Sequence, residues 1–239
     1  MGTTRRNFLK VIGLSAMVFM LPVKAFSEEI LMPAMEVSKQ TFKKIIQIID
    51  ELQKEGSNIV LKTLNGKKYI KEASAHYPNE DSIEDKISEC QIFFHAHRKD
   101  EYGHFHTFSK NEDGELVHLI MISMDKKGRP IALSTLNRWV TGDFFVNSDE
   151  LKKLIIEFEM NHDLFPDKRI IEFIENIFLG YNDLIFELFE ERDESVINYV
   201  RKNTREPFED RDIEILSTRK IDVYQKEWNI QQAKPCFRY

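Results

Sequence analysis

Apolar and polar residues alternate with a period of two from Gln91 to Thr141, and on either side of that stretch apolar residues recur every three or four positions. Alternation marks half-buried strands, whereas three-four spacing marks amphipathic helices. The candidate strands are 91–97, 104–108, 116–124 and 130–140. Their separators contain Gly103, Asp113-Gly114 and Lys127-Gly128. Such residues suit tight reversals, so successive strands should pair antiparallel as a meander.

Upstream, Ser38 caps a helix over 38–54 that carries Phe42, Ile45, Ile46, Ile49 and Leu52 and stops at Gly56. Residues 58–70, broken at Asn65-Gly66, read as a hairpin, and Tyr77 to Asp81 read as a loop. Downstream, Ser148 caps a helix to about Met160, and Pro166 opens another whose stripe runs from Ile170 through Phe173, Ile177 and Tyr181 to Phe189. That helix either breaks near Gly180 or continues to Arg192, with 196–201 helical beyond it; 212–216 is a last strand and 222–231 a last helix. The expected fold class is α+β: a single domain over 26–239 in which helices cover an antiparallel meander sheet.

With 42% hydrophobic and 31% charged residues but only 9 Gly and 7 Pro, collagen-like and disordered classes are excluded. The 18 Phe suffice for a sizeable aromatic core. Residues 1–25 carry Arg5, Arg6, Lys10 and Lys24 and no acid; taking those four charges from the formal net charge of -6 leaves -10 for the remainder. An acidic body without a basic stripe argues against nucleic acid as a partner. The basic head, the apolar run Val11–Val23 and the small residue Ala25 make a cleavable export signal. The run is shorter than the roughly 20 residues that a membrane span needs, so the mature form is expected to have no stable span.

Thr4-Arg5-Arg6-Asn7-Phe8-Leu9-Lys10 resembles the bacterial twin-arginine signal at every position. The resemblance implies transport of an already folded chain, the twin-arginine translocase as a transient partner, cleavage near Ala25 and a periplasmic or otherwise exported location. An oxidising compartment would permit a bridge between Cys90 and Cys236, although Cys90 beside an apolar strand reads as a small buried hydrophobe.

Five of the 7 histidines lie between residues 95 and 118. His95 and His97 share one face of their strand, as do His104 and His106. One antiparallel register sets His97 opposite His104, His95 opposite His106 and Phe93 opposite Phe108 across the turn Arg98–Gly103; a slip of one residue would send the two pairs to opposite faces. Four converging imidazoles, kept neutral by desolvation and mutual repulsion, suit a divalent transition metal such as Zn or Fe. A polar or catalytic pocket without metal, or a structural cluster paired with acids such as Glu101, fits the same pattern. A two-residue turn at Asp113-Gly114 would add Leu119 and Met121 to the histidine face and turn His118 away. A three-residue turn Lys126–Gly128 would add Ile131, Leu133, Thr135 and Asn137, with Thr135 and Asn137 as donors beside the cofactor. The acidic run Glu187, Glu190, Glu191, Asp193 and Glu194 reads as a solvated helix end. The chain has no Gly-rich phosphate loop, Gly-x-Ser-x-Gly elbow or Cys-x-x-Cys pair.

The segments Phe94-His95-Ala96-His97-Arg98, Tyr102-Gly103-His104-Phe105-His106-Thr107-Phe108, Gly128-Arg129-Pro130-Ile131-Ala132-Leu133 and Asn137-Arg138-Trp139-Val140-Thr141-Gly142 resemble an uncharacterised bacterial family of unknown function. His76-Tyr77-Pro78 and Glu191-Arg192-Asp193 match its flanking motifs, so the likeness spans about 55–220. It implies no activity, cofactor or catalytic residue. The residues themselves point to an exported protein with a histidine-lined metal or ligand site, in the manner of a metal-dependent hydrolase or oxygenase. The alternative is a noncatalytic periplasmic accessory or binding protein with an aromatic cleft.

Overall fold

Asn111 and Asp125 make the two tightest reversals of the sheet by the same device. The Asn111 Oδ1 accepts the N–H groups of Asp113 (3.1 Å) and Glu115 (2.9 Å), and Gly114 at φ +75° returns its N–H to the Asn111 carbonyl at 2.8 Å. Asp125 Oδ1 takes Lys127 (2.8 Å) and Arg129 (2.9 Å) in the same way, and Gly128 sits at φ +74°. A side chain that accepts from the backbone two residues on, followed by a left-handed glycine, holds a three-residue reversal between strands.

The computed structural model describes residues 28–232, with side chains over 37–231. The expected export signal, its expected cleavage site and Cys236 lie outside the described residues. Six strands, β1 (Ile83–Glu84), β2 (Gln91–His95), β3 (Gly103–Lys110), β4 (Leu116–Met124), β5 (Pro130–Leu136) and β6 (Ile215–Lys220), pair antiparallel in chain order. Seven α-helices accompany them among the described residues: α1 (Glu28–Lys54), α2 (Ile59–Leu64), α3 (Arg138–Thr141), α4 (Ser148–Ile156), α5 (Arg169–Gly180), α6 (Asn182–Lys202) and α7 (Val223–Gln232). The molecule is a single α+β domain. None of these helices is long and apolar enough to cross a membrane.

The core lies on one face of the sheet. Phe94, Phe105, Ile122 and Leu133 are all 0% exposed and join one cluster with Phe42, Ile45 and Leu52 of α1 and Ile170, Phe173 and Ile177 of α5. α1 packs on α5 and α7, while α6 lies against β5 and β6. Burying such a side chain stabilises by about 1.5–3 kcal/mol, so this layer fixes the sheet that carries the opposite face.

Two expectations need correction, and one pair of alternatives is decided. Residues 59–64 form α2 rather than a hairpin: Asn58 caps its N-terminus by accepting the Leu61 N–H at 2.9 Å, and Asn65 (φ +48°) closes its C-terminus. An Asn-Gly pair serves a left-handed helix end as well as a hairpin turn. The strand expected over 130–140 ends at Leu136, because Asn137 caps α3 through its bond from Arg138 N–H. The long apolar stripe breaks at Tyr181 and resumes as α6, giving two helices. Cys90 is 1% exposed, with Sγ 3.8 Å from Ser109 Oγ.

Candidate functional site

β2 and β3 present four histidines on the face away from the helices, in a register two residues from the expected one. His95 stands opposite His104, and His106 stands opposite Phe93 rather than His95. A two-residue slip preserves the face of every side chain, so the expected convergence holds although the partners change. His97 lies past the end of β2, its ring 4.8 Å from that of His95 and 5.1 Å from that of His104. Gly103 admits this close turn: a Cβ there would overlap the Phe94 ring and lie 2.8 Å from the His95 carbonyl.

Two further histidines join the cluster. β4 holds an extra residue between its pairings to His106 and Phe108, so His118 faces Phe108 and reaches the histidine side, while Leu119 enters the helix-side core. The expectation that placed Leu119 on this face and His118 off it is reversed; Met121 is where it was expected. His76, from the loop after α2, stacks on Phe93 at 4.4 Å and meets the His95 ring edge-on at 5.3 Å. The loop is pinned by the Tyr77–Phe94 bridge and by Tyr77 Oη, which donates to the Lys68 carbonyl at 2.7 Å. Its companion motif holds another part of the fold: Arg192 pairs with Asp193 at 2.6 Å and lies 3.9 Å over the Phe145 ring. Asp193 is therefore buried, unlike the solvated end expected for that acidic run.

The hydrogen bonds assign the ring protons. Ala73 O can only accept, so its 2.9 Å contact fixes the proton of neutral His95 on Nδ1 and leaves Nε2 as an acceptor. His106 then donates from Nε2 to His95 Nε2 at 2.9 Å, and its Nδ1 receives the Nε2 proton of His118 at 3.0 Å. One carbonyl thus sets the tautomers of three rings. Burial, reinforced by the neighbouring His104, pulls His95 down to about 3. Burial, then His104 and Arg192, does the same to His118, and burial holds His106 well below the ordinary imidazole value. His97 is lowered by burial and by His104.

His104 differs from these rings. Its Nδ1 bonds to Glu101 Oε1, whereas its Nε2 is buried and has no hydrogen-bond partner. Burial acts to raise the Glu101 carboxyl, but the hydrogen bond to His104, with Ser123 and Arg98, outweighs it and leaves it below its usual range. One ring nitrogen each from His95, His97 and His104 lies within 4.8 Å of the other two, a group that could hold a metal ion.

Thr135 and Asn137 do not share this face. A bulge between Ser123 and Met124 shifts the β4–β5 register by one residue, so Ser134 faces Met121 while Leu133 and Thr135 turn to the helices. Thr135 Oγ1 bonds to Ser217 Oγ at 2.6 Å, and Asn137 Nδ2 donates to Pro207 O (2.8 Å) and Ile213 O (3.0 Å). Both tie β5 to the β6 region. The expectation that they sit beside the cofactor is corrected. Ser123 and Ser134, which the pattern did not single out, occupy the histidine face instead. They line a cleft of about 890 Å³ with His97, Glu101, Thr218 and Lys220. No Phe, Tyr or Trp lines it.

A family model described as a domain of unknown function, DUF6969, matches residues 39–221. The chain belongs to the DUF6969 family. The matched span holds all six strands and every clustered histidine. No curated protein and no solved structure matches the chain.

Proposed function

We propose that His95, His97 and His104 hold a divalent transition metal, zinc or iron, which takes the His95 Nε2 lone pair in place of the His106 N–H, and that His106 becomes a fourth ligand only on losing its Nε2 proton. The observation that carries this reading is the orphaned His104 Nε2, buried while Glu101 fixes Nδ1. Metal-bound histidines are held in this way: the outer nitrogen bonds a carboxylate or carbonyl, and the inner lone pair faces the ion. Ala73 O does for His95 what Glu101 does for His104. Zn–N or Fe–N bonds near 2.1 Å put ligand nitrogens about 3.0–3.4 Å apart, a separation that small ring rotations reach from the group described.

Three neutral ligands leave an open position and the full charge of the ion, which favours activation of water. A non-haem oxygenase would want a carboxylate ligand, and the Glu101 carboxylate is turned to the outer side of His104. Metal-dependent hydrolysis of a small molecule entering past His97 is therefore the favoured reaction class. Export by the twin-arginine translocase suits such a protein, since the ion would be inserted before transport. Replacing Arg5 and Arg6 together by Lys should leave the chain in the cytoplasm; unchanged export would remove that part of the reading.

Elemental analysis of the purified protein tests the metal. Near-stoichiometric zinc or iron is expected, with affinity at least ten-fold weaker in His97→Gln, whose open position spares the fold. Metal content that is low in the wild type, or equal in wild type and the His95→Ala/His106→Ala double variant, overturns the proposal.

A further inference from the structure

Across the sheet the histidine face forms two rows. One runs His95, His104, Ser123, Ala132, Lys220, and the next runs Phe93, His106, Met121, Ser134, Thr218, each residue paired with the next across adjacent strands. Between the histidines and Lys220 the first row has only Ser123 and Ala132, so the surface sinks there, and the cleft lies over this saddle. At about 4.8 Å per strand, the far edge stands roughly 14 Å from His104. The far end is rich in hydroxyls: Ser134 Oγ and Thr218 Oγ1 lie 2.8 Å apart.

The charged groups of the cleft are mostly paired. Arg98, Lys99, Arg219 and Lys220 line it against Asp100, Glu101 and Glu214. Glu214 engages Arg98, Glu191 engages Arg219 and His104 engages Glu101. Lys99, Lys220 and Asp100 make no ion pair among the described residues. An otherwise acidic molecule thus keeps two uncommitted ammonium groups against one uncommitted carboxylate at this mouth. We propose that the cleft binds a small phosphorylated molecule, with its phosphate on Ser134, Thr218 and Lys220 and its other end at His97 and His104. The two hydroxyls bond each other here; on exchanging that bond they can donate to neighbouring oxygens of one tetrahedral oxyanion, and an ammonium supplies the charge. The assignment of the reacting end rests on the metal reading; the phosphate end does not.

The probe is inorganic phosphate, titrated calorimetrically into the chelator-treated full chain. One saturable site is expected, about ten-fold weaker in Lys220→Glu and likewise in Ser134→Ala/Thr218→Val, as for hydrogen bonds to charged groups. Lys220 is exposed, so its variant should keep the wild-type circular dichroism and melting temperature. Absence of saturable binding in the wild type overturns the proposal, as does equal affinity in wild type and both variants. Metal content measured on the same preparations separates the two readings, because phosphate binding without metal sinks only the metal site, and metal without phosphate binding sinks only the phosphate subsite.

Discussion

The two faces of the sheet are built from the same strands and filled in opposite ways. Phe94 alternates with His95, Phe105 with His104 and His106, Ile122 with Met121 and Ser123, and Leu133 with Ala132 and Ser134. On the helix side every such group is apolar and 0% exposed. On the other side imidazoles are almost as deeply buried but lean on one another for hydrogen bonds. A buried imidazole remains neutral at a desolvation cost that a leucine would avoid. The difference teaches that one face serves stability while the other, on the proposed reading, serves a site, since sites commonly trade stability for function.

Truncation on the helix side should therefore give the largest effect. Phe105→Ala removes a fully buried ring with its centroid 5.0 Å from that of Phe94. The expected loss is about 3–5 kcal/mol in urea unfolding. A loss below about 1 kcal/mol would break the contrast between the faces.

Acid should attack the opposite face. His95 and His118 titrate in the folded protein near 3 and His106 also lies well below the usual value, whereas in the unfolded chain each titrates near 6.5. Between those limits the unfolded state binds more protons, so stability is complete above about pH 6.5 and falls as pH drops toward 3. Each group contributes a slope on the order of 1 kcal/mol per pH unit. Unfolding of metal-free protein across this window should show it, with a shallower slope in His118→Leu; equal slopes would locate the acid sensitivity elsewhere.

The legible and illegible parts of the molecule divide along the same line. The meander, the main helices and the shared face of His95, His97, His104 and His106 followed from periodicity, because a one-residue slip would expose an entire apolar set. The exact partners did not, because a two-residue slip moves no side chain between faces. The first bulge was hidden for a different reason: Val117, Leu119, Ile120, Met121 and Ile122 are buried on both sides of β4, so the pattern carries no record of where an extra residue sits. That bulge brought in His118, and the one beyond Ser123 turned Thr135 away. Thr107 shows what stabilises the first: its hydroxyl donates to the Ile120 carbonyl at 2.8 Å and accepts the Ile120 N–H at 3.2 Å. Thr107→Val keeps the shape but leaves both backbone groups unpaired, so it should cost about 1–3 kcal/mol and disturb the His106–His118 bond. Histidine NMR shifts unchanged in this variant would show that the bulge does not depend on the hydroxyl.

The smallest effect belongs to the one histidine outside the cluster. His162 Nε2 meets Glu175 Oε2 at 2.8 Å, but the two side chains are 38% and 23% exposed, and water competes for both. An exposed pair of this kind is worth about 0–1 kcal/mol. His162→Gln should therefore shift the urea midpoint little and leave metal content at the wild-type level. The comparison is sharpest here, because residue type is held constant and only position changes: the same substitution at His97 should release metal at similarly small structural cost. If His162→Gln depletes the metal as strongly as His97→Gln, ion binding follows histidine content rather than the geometry of the sheet, and the distinction between the two faces loses its functional half.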